Sequence, residues 1–325
     1  MLKKLVVELT NLCNLDCDYC FKEAGTSHLD IALLHRLLEE ARTWGAAKIT
    51  YTGGEVALYP RLEDVFQRTE SLGYRYAVVT NGWHFDRMLP LLISSRTALN
   101  QVFFSVDSAY ETQHDTVRGK GSYRRILSGV ASCQEYSLPF SFLVTVNQRN
   151  HNELESLAKL ADGLGAEGIT FGHLLPTSQF FDQQLCLNHE QRSAAETEAR
   201  RLGHLLGIAV SFSASAGNDA PVCCEPLAGH TLSVDSRGRV SLCCQLAGYR
   251  GTANEEDVVA DLNTVSFGKA YLGFLSLALA QRMHRSRALL AQEVFAKHPC
   301  DFCAASMRKT EWRGQSNPMP TMVGA

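Results

Sequence analysis

Lys4-Leu5-Val6-Val7-Glu8-Leu9-Thr10-Asn11-Leu12-Cys13-Asn14-Leu15-Asp16-Cys17-Asp18-Tyr19-Cys20 is the stretch on which the reading of this chain turns. Leu5–Leu9 is a strand-like run, and the loop after it carries three cysteines spaced Cys13-x-x-x-Cys17-x-x-Cys20. Three thiolates on one short loop leave one corner of a cubane [4Fe–4S] cluster without a protein ligand, whereas a structural cluster closes that corner with a fourth cysteine. An open iron is a coordination site for a further molecule, as the open position is at a catalytic metal. A zinc site is the competing reading of three close cysteines.

The rest of the chain sets the frame for that loop. Its 325 residues, 45% apolar, suffice for one large α/β barrel and a smaller appendage. The formal net charge of −3 and the absence of a long Lys/Arg run give no electrostatic reason to expect nucleic acid or a membrane as partner. The first residues are interrupted too early, by Glu8 and Asn11, for a signal peptide, and no apolar run reaches transmembrane length. Eleven cysteines without an export signal point to metal or redox use in a reducing compartment, so the expected location is cytoplasmic.

Short β-rich runs alternate with helical patterns through the first half, the mark of βα units. Strands are expected at Leu5–Leu9, Lys48–Tyr51, Arg75–Val79, Gln101–Val106, Phe140–Val146 and Gly168–Phe171. Between them, Asp30–Trp44 places Ile31, Leu34, Leu37, Leu38 and Ala41 on one face, with Gly45 as a stop. Further helices are expected near Arg61–Leu72, Phe85–Ser94, Ser122–Tyr136 and Asn152–Leu164. Six βα units are too few for a closed eight-stranded barrel, which predicts an open parallel one with its ligand site on the loops after the strands. Beyond Pro176 the pattern predicts a helix over Asn188–Leu206, a strand at Ile208–Phe212, a loop at Ser213–Pro221, and a hairpin of Leu232–Asp235 and Val240–Leu242 turning at Ser236-Arg237-Gly238.

Three further motifs fall at expected strand ends: Thr52-Gly53-Gly54-Glu55, Thr80-Asn81-Gly82, and Phe104-Ser105-Val106-Asp107 followed by His114-Asp115-x-x-Arg118-Gly119. Taken one at a time, the first two read better as plain turns, and the third reads equally as a strand end whose polar residues cap the next helix. Taken in order behind the three-cysteine loop, residues from about Leu5 to Pro176 resemble the radical S-adenosylmethionine (SAM) superfamily. The resemblance implies that Cys13, Cys17 and Cys20 hold a [4Fe–4S] cluster whose open iron binds SAM. It implies a SAM-contacting set of Tyr19, Gly53, Gly54, Glu55, Ser105, Asp107 and Arg118, with the Gly-Gly-Glu turn at the methionine amino group and the arginine near the carboxylate. One electron then splits SAM into methionine and a 5′-deoxyadenosyl radical that removes a substrate hydrogen.

A second constellation lies near the C-terminus: Cys223-Cys224, Cys243-Cys244 and Cys300-Asp301-Phe302-Cys303. It resembles the shortened SPASM module called Twitch, a hairpin plus helix that holds one auxiliary [4Fe–4S] cluster on four cysteines. The expected ligands are Cys224, Cys243, Cys300 and Cys303, with Cys223 and Cys244 as possible substitutes and a zinc ribbon as the alternative. Cys133 sits on the apolar face of its helix and reads as core. Cys186, beyond the sixth strand, is either an idle thiol or a hydrogen-atom donor, and His173, at the same mouth, is a candidate to bind substrate or move a proton.

The resulting expectation is an α/β fold: a partial (β/α)6 TIM-like barrel with its helical and strand extension over residues 1–215, and a small α+β iron–sulfur module with the tail over 216–325. The expected activity is radical SAM oxidation, a dehydrogenation or cross-link, of a natural-product intermediate, with the auxiliary cluster as electron acceptor and a flavodoxin or ferredoxin as donor. Only a short lead precedes Cys13, which leaves no room there for a leader-binding domain and tilts the expectation towards a small or medium natural-product intermediate, or a peptide delivered without a fused leader-binding domain. The alternatives are a peptide maturase and a redox-neutral epimerase that uses a cysteine hydrogen donor.

Overall fold

Lys4–Thr10 forms β1, and every residue after Lys4 in it is buried, as in a strand covered on both faces of a parallel sheet. The structure, a computed structural model, describes residues 1–22, 24–175, 184–213, 224–248 and 255–309. The remaining strands are β2 (Lys48–Gly53), β3 (Arg75–Thr80), β4 (Leu99–Ser105), β5 (Phe140–Val146), β6 (Gly168–His173), β7 (Ala209–Phe212), β8 (Thr231–Val234), β9 (Arg239–Ser241) and β10 (Val258–Asp261). They make one sheet in the order β10-β9-β8-β1-β2-β3-β4-β5-β6-β7. Neighbours from β1 to β7 are parallel, as in an open, partial TIM-like barrel.

The C-terminal hairpin lies beside the first strand of the barrel. β8 pairs in parallel with β1, and β9 and β10 follow antiparallel, so the hairpin continues the barrel sheet. Its turn lies where the sequence places it: Gly238 adopts φ +85° and donates its N–H to the Asp235 carbonyl at 3.0 Å. The expected domain boundary at 215/216, the loop over Ser213–Pro221 beyond Ser213, Pro176 and Cys223 lie outside the described residues.

The helices between the strands follow the apolar stripes. α1 (Ile31–Thr43) starts at Asp30, whose carboxylate accepts the Leu33 N–H at 2.8 Å, a side-chain N-cap. Its buried face is Leu33, Leu34, Leu37, Leu38 and Ala41; Ile31, in the first turn, is half-buried. α2 (Leu62–Ser71) and α3 (Phe85–Ser94) come next. α4 (Glu111–Arg118) buries only His114 and Val117, so its sequence carries no stripe and predicted no helix. α5 (Ser122–Glu135), with Cys133 fully buried, and α6 (Leu154–Gly163) complete the barrel helices. α7 (His189–Leu205) opens with a reciprocal Asn188/Gln191 capping box. α8 (Phe267–Leu290) packs against α1 and β10, and α9 (Pro299–Ser306) carries the terminal cysteine pair.

Candidate functional site

A cavity of about 200 Å³ opens over the C-terminal ends of the strands. Glu8, Thr52, Thr80, Ser105 and Thr145 line it from β1 to β5, and Asp235 lines it from the turn after β8. That is the face on which a parallel α/β barrel keeps its ligands, because the loops there are free to vary while the strands hold their roots. Cys13, Cys17 and Cys20 all border this cavity, held on a loop tightened by a hydrogen bond from the Cys20 N–H to the Cys17 carbonyl. Burial pushes the Cys13 thiol up and the Cys17 thiol to about 11. Three thiolates close together on one half-buried loop need a cation to carry their charge, and a bound metal centre would supply it. The donor set therefore fits an iron–sulfur cluster held by three cysteines.

The turn after β2 meets that loop at van der Waals limits. The Gly54 N–H donates to the Thr10 carbonyl at 2.7 Å and the Glu55 N–H to the Leu12 carbonyl at 2.8 Å. A Cβ on Gly53 would stand 2.2 Å from the Thr10 carbonyl oxygen, and one on Gly54 2.2 Å from that of Leu12. Gly53 also has φ +147°. Glycine is thus required at both positions by the approach of two backbones.

Glu55 is fully buried and is not among the cavity-lining residues. Its carboxylate accepts from Thr80 Oγ1 and the Asn81 N–H, each at 2.7 Å, and from the Ala57 N–H at 3.1 Å. Burial raises its pKa against the pull of those three donors. In this arrangement the acid ties the β2 turn to the end of β3. That bond in turn orients Asn81, which borders the cavity and sets its Nδ2 3.9 Å from Cys13 Sγ and 3.1 Å from Asn14 Oδ1.

Tyr19, Asp107 and Arg118 form a buried triad beside the cysteines. The Tyr19 hydroxyl donates to Asp107 Oδ2, and Arg118 pairs through Nε with the same oxygen and through Nη2 with the Tyr19 oxygen. Burial opposes the guanidinium charge, yet Asp107 and Tyr19 hold Arg118 above its usual range. Asp107 is pinned further by the Thr145 N–H at 3.3 Å on Oδ1 and by Asn150 Nδ2 at 2.9 Å on its carbonyl. Behind it, His114 Nδ1 accepts the Asp107 N–H at 3.3 Å, and burial, then the nearby Arg118 charge, lowers that imidazole to about 4. Arg118 and Tyr19 border the cavity, so the triad presents a charged donor and an aromatic edge there.

Cys224, Cys243, Cys300 and Cys303 line a second, apolar cavity with Leu175, Leu227, Leu242 and Leu246. Cys244 does not line it. Burial pushes Cys300 up to about 12, with the Cys224 thiol adding to the shift. Four thiols from three separate segments around one dry space form a donor set that fits a tetrathiolate metal centre.

Comparison with known proteins agrees with this geometry. Residues 7–161 match the profile of the radical SAM superfamily. The chain carries a radical SAM domain. Among curated proteins, the chain is 28% identical over 180 residues to an AdoMet-dependent heme synthase of Methanosarcina barkeri, an alignment covering 53% of this chain and 50% of that protein. It is 25% identical over 206 residues to the sporulation killing factor maturation protein SkfB of Bacillus subtilis, covering 62% of this chain and 50% of that protein. The chain spans about half the length of the curated relatives it matches. Among solved structures, native anSMEcpe with bound AdoMet superposes with a TM-score of 0.68 at 14% identity, covering 91% of this chain and 88% of that one. SuiB of Streptococcus suis bound to S-adenosylmethionine superposes with a TM-score of 0.67 at 13% identity, covering 85% and 68%. Identities this low show the shared fold alone.

Other expected residues do not line the cavity. Cys186 packs against the apolar cluster of Tyr19, Val117, Leu174 and Leu185 and is not among the cavity-lining residues. His173 is buried at the end of β6, its ring tilted against that of Phe212 with centroids 4.4 Å apart, and is bonded through Nε2 to Glu196 at 3.2 Å. Conversely, the cavity wall includes Glu8, Lys22, Asp235, Arg237 and Arg239, which sequence reasoning did not select. Only the inward alternation of Glu8 in an otherwise apolar strand signalled any of them. The charged residues from the hairpin become neighbours of the cysteine loop only through the β8–β1 pairing.

Proposed function

We propose that this chain is a radical SAM enzyme that carries two [4Fe–4S] clusters and oxidises one C–H position of a natural-product intermediate, a small molecule or a peptide. The observation that carries the reading is the convergence of Cys224, Cys243, Cys300 and Cys303 on one apolar cavity while Cys13, Cys17 and Cys20 border another. In this reading Cys13, Cys17 and Cys20 hold the cluster that leaves one iron open. Tyr19, Gly53, Gly54, Ser105 and Arg118 make the SAM-contacting wall, and Glu55 and Asp107 brace it. When bound, that cluster and SAM would supply a deoxyadenosyl radical able to remove a hydrogen atom from unactivated carbon, and the second cluster would accept the electron left on the substrate.

The chain's own part is orientation. Backbone groups at Gly53 and Gly54 are available to a ligand because no side chain stands before them. Arg118, held by Asp107 and Tyr19, offers a fixed guanidinium to a carboxylate. The far wall, with Lys22, Glu8, Asp235, Arg237 and Arg239, favours a polar substrate over an apolar one. SkfB is named for peptide maturation and SuiB has been solved with its precursor peptide, which supports a peptide as one substrate class. A flavodoxin or ferredoxin would supply the electron. A redox-neutral outcome with Cys186 as hydrogen donor is less well supported, since its thiol packs outside the cavity.

The test is iron and sulfide analysis with EPR and a SAM-cleavage assay on anaerobically reconstituted protein, beside a Cys13/Cys17/Cys20→Ala variant. About eight irons in the wild type, about four in the variant, and deoxyadenosine from the wild type alone are expected. About four irons in the wild type and none in the variant would remove the second cluster and the oxidative outcome with it. Zinc without iron would end the radical reading altogether.

A further inference from the structure

Three buried metal-ligating side chains from three different elements converge behind the barrel mouth: His173 at the end of β6, Glu196 on α7 and His298 at the N-cap of α9. They are 8%, 4% and 8% exposed. One ligand atom from each lies within 4.8 Å of the others. His173 Nε2 stands 3.2 Å from Glu196 Oε1, and His298 Nδ1 stands 3.9 Å from the same oxygen. The second distance is beyond hydrogen-bond range, so His298 Nδ1 is a buried polar atom aimed at a carboxylate with no hydrogen-bond partner. A ligand spacing of 3 to 4 Å is what a first-row cation needs, since bonds of about 2.0–2.2 Å put tetrahedral ligand atoms about 3.3 Å apart.

The chemistry of the three groups agrees with the geometry. Both imidazoles are withdrawn from water, and a neutral imidazole keeps one ring nitrogen's lone pair for a metal. The nearby Arg192 charge is offset by Asp301, to which it is bonded, so the carboxylate of Glu196 leaves the cluster one negative charge. We propose that His173, Glu196 and His298 bind a divalent first-row transition ion of the zinc class. Two imidazoles and one carboxylate are the donor set such ions favour. The ion would clamp β6, α7 and the start of α9 together, and so set the position of Cys300 and Cys303, two and five residues beyond His298. The inference rests on the nitrogen and oxygen ligands alone and does not depend on the radical SAM reading.

Cobalt(II) is the probe, because it reports its ligands by colour. Cluster-loaded protein is given one equivalent of Co2+ under argon, passed over a chelating resin, and examined by metal analysis and absorption. The expected result is about one Co2+ per chain, with ligand-field bands and no thiolate-to-cobalt charge transfer, lost in both His298→Gln and Glu196→Gln while far-UV circular dichroism is unchanged. The two variants remove different ligands, so a folded example of either suffices. Wild-type protein that retains no Co2+, or Co2+ that shows thiolate charge transfer and persists in both variants, would overturn the proposal.

Discussion

At Gly53 a single missing carbon decides whether the cysteine loop can meet the second strand. A methyl group there would stand 2.2 Å from the Thr10 carbonyl oxygen at φ +147°, and neither backbone can retreat without breaking the Gly54–Thr10 bond. Gly53→Ala is therefore expected to cost roughly 1–3 kcal/mol of stability, read from chemical denaturation, and to lower iron retention in the first cluster site. An unchanged denaturation midpoint would show that the close approach relaxes freely. His114 makes a second residue-scale prediction. Its ring is held near 4 in the fold against 6.5 unfolded, so between those values the unfolded chain takes up a proton that the folded chain refuses. Its contribution is complete above about pH 6.5 and is lost as the pH falls towards 4, to a limit of about 3 kcal/mol. The difference in stability between wild type and His114→Gln, followed from pH 7 to pH 4.5, isolates this share from the buried acids. A difference that does not change with pH would refute it.

Between elements, Lys22 is the principal tie of the cavity wall. Its ammonium pairs with Glu8 on β1 and donates to the carbonyls of Cys244 at 2.8 Å and Ala247 at 2.6 Å, so three acceptors use its three protons. Lys22→Met leaves Glu8 buried without its cation and is expected to cost about 3–5 kcal/mol. The double variant Lys22→Met/Glu8→Leu should recover most of that loss in a thermal-melt cycle, and strict additivity would contradict the coupling. Legibility in the sequence also varied by element. Strands β1 to β6 and helices α1, α2, α3, α5 and α6 were readable because each has one apolar face or an apolar run. α4 was not, since its eight residues bury only two. α8 was hidden for the opposite reason: Ala270, Phe274 and Ala278 are buried while Leu272, Leu279, Met283 and Leu290 are exposed on the other side, and two apolar faces cancel the periodic signal.

For the whole molecule, the parallel pairing of β8 with β1 brings the charged hairpin to the mouth of the barrel. Of two adjacent cysteines, Cys243 lines the apolar cavity and Cys244 does not, its carbonyl accepting from Lys22. Cys243→Ser is expected to lower reconstituted iron from about eight to about four per chain, and Cys244→Ser to leave about eight. Equal losses in both would mean that the pair shares the ligand role.

The chain by itself determined the succession of βα units, the three-cysteine loop after the first strand, and the turns that follow the next strands. These are local matters: an apolar period, a glycine pair or a cysteine spacing acts within a few residues, and sequence order preserves it. What only the tertiary structure decided were relations between segments far apart in the chain. They include the joining of the hairpin to β1, the turning of Glu55 inward to the end of β3, the placing of Cys243 but not Cys244 on the apolar cavity, and the meeting of His173, Glu196 and His298. Each depends on which buried polar group finds which distant partner. That is settled by packing and by the cost of leaving such a group unpaired, and no spacing along the chain encodes it.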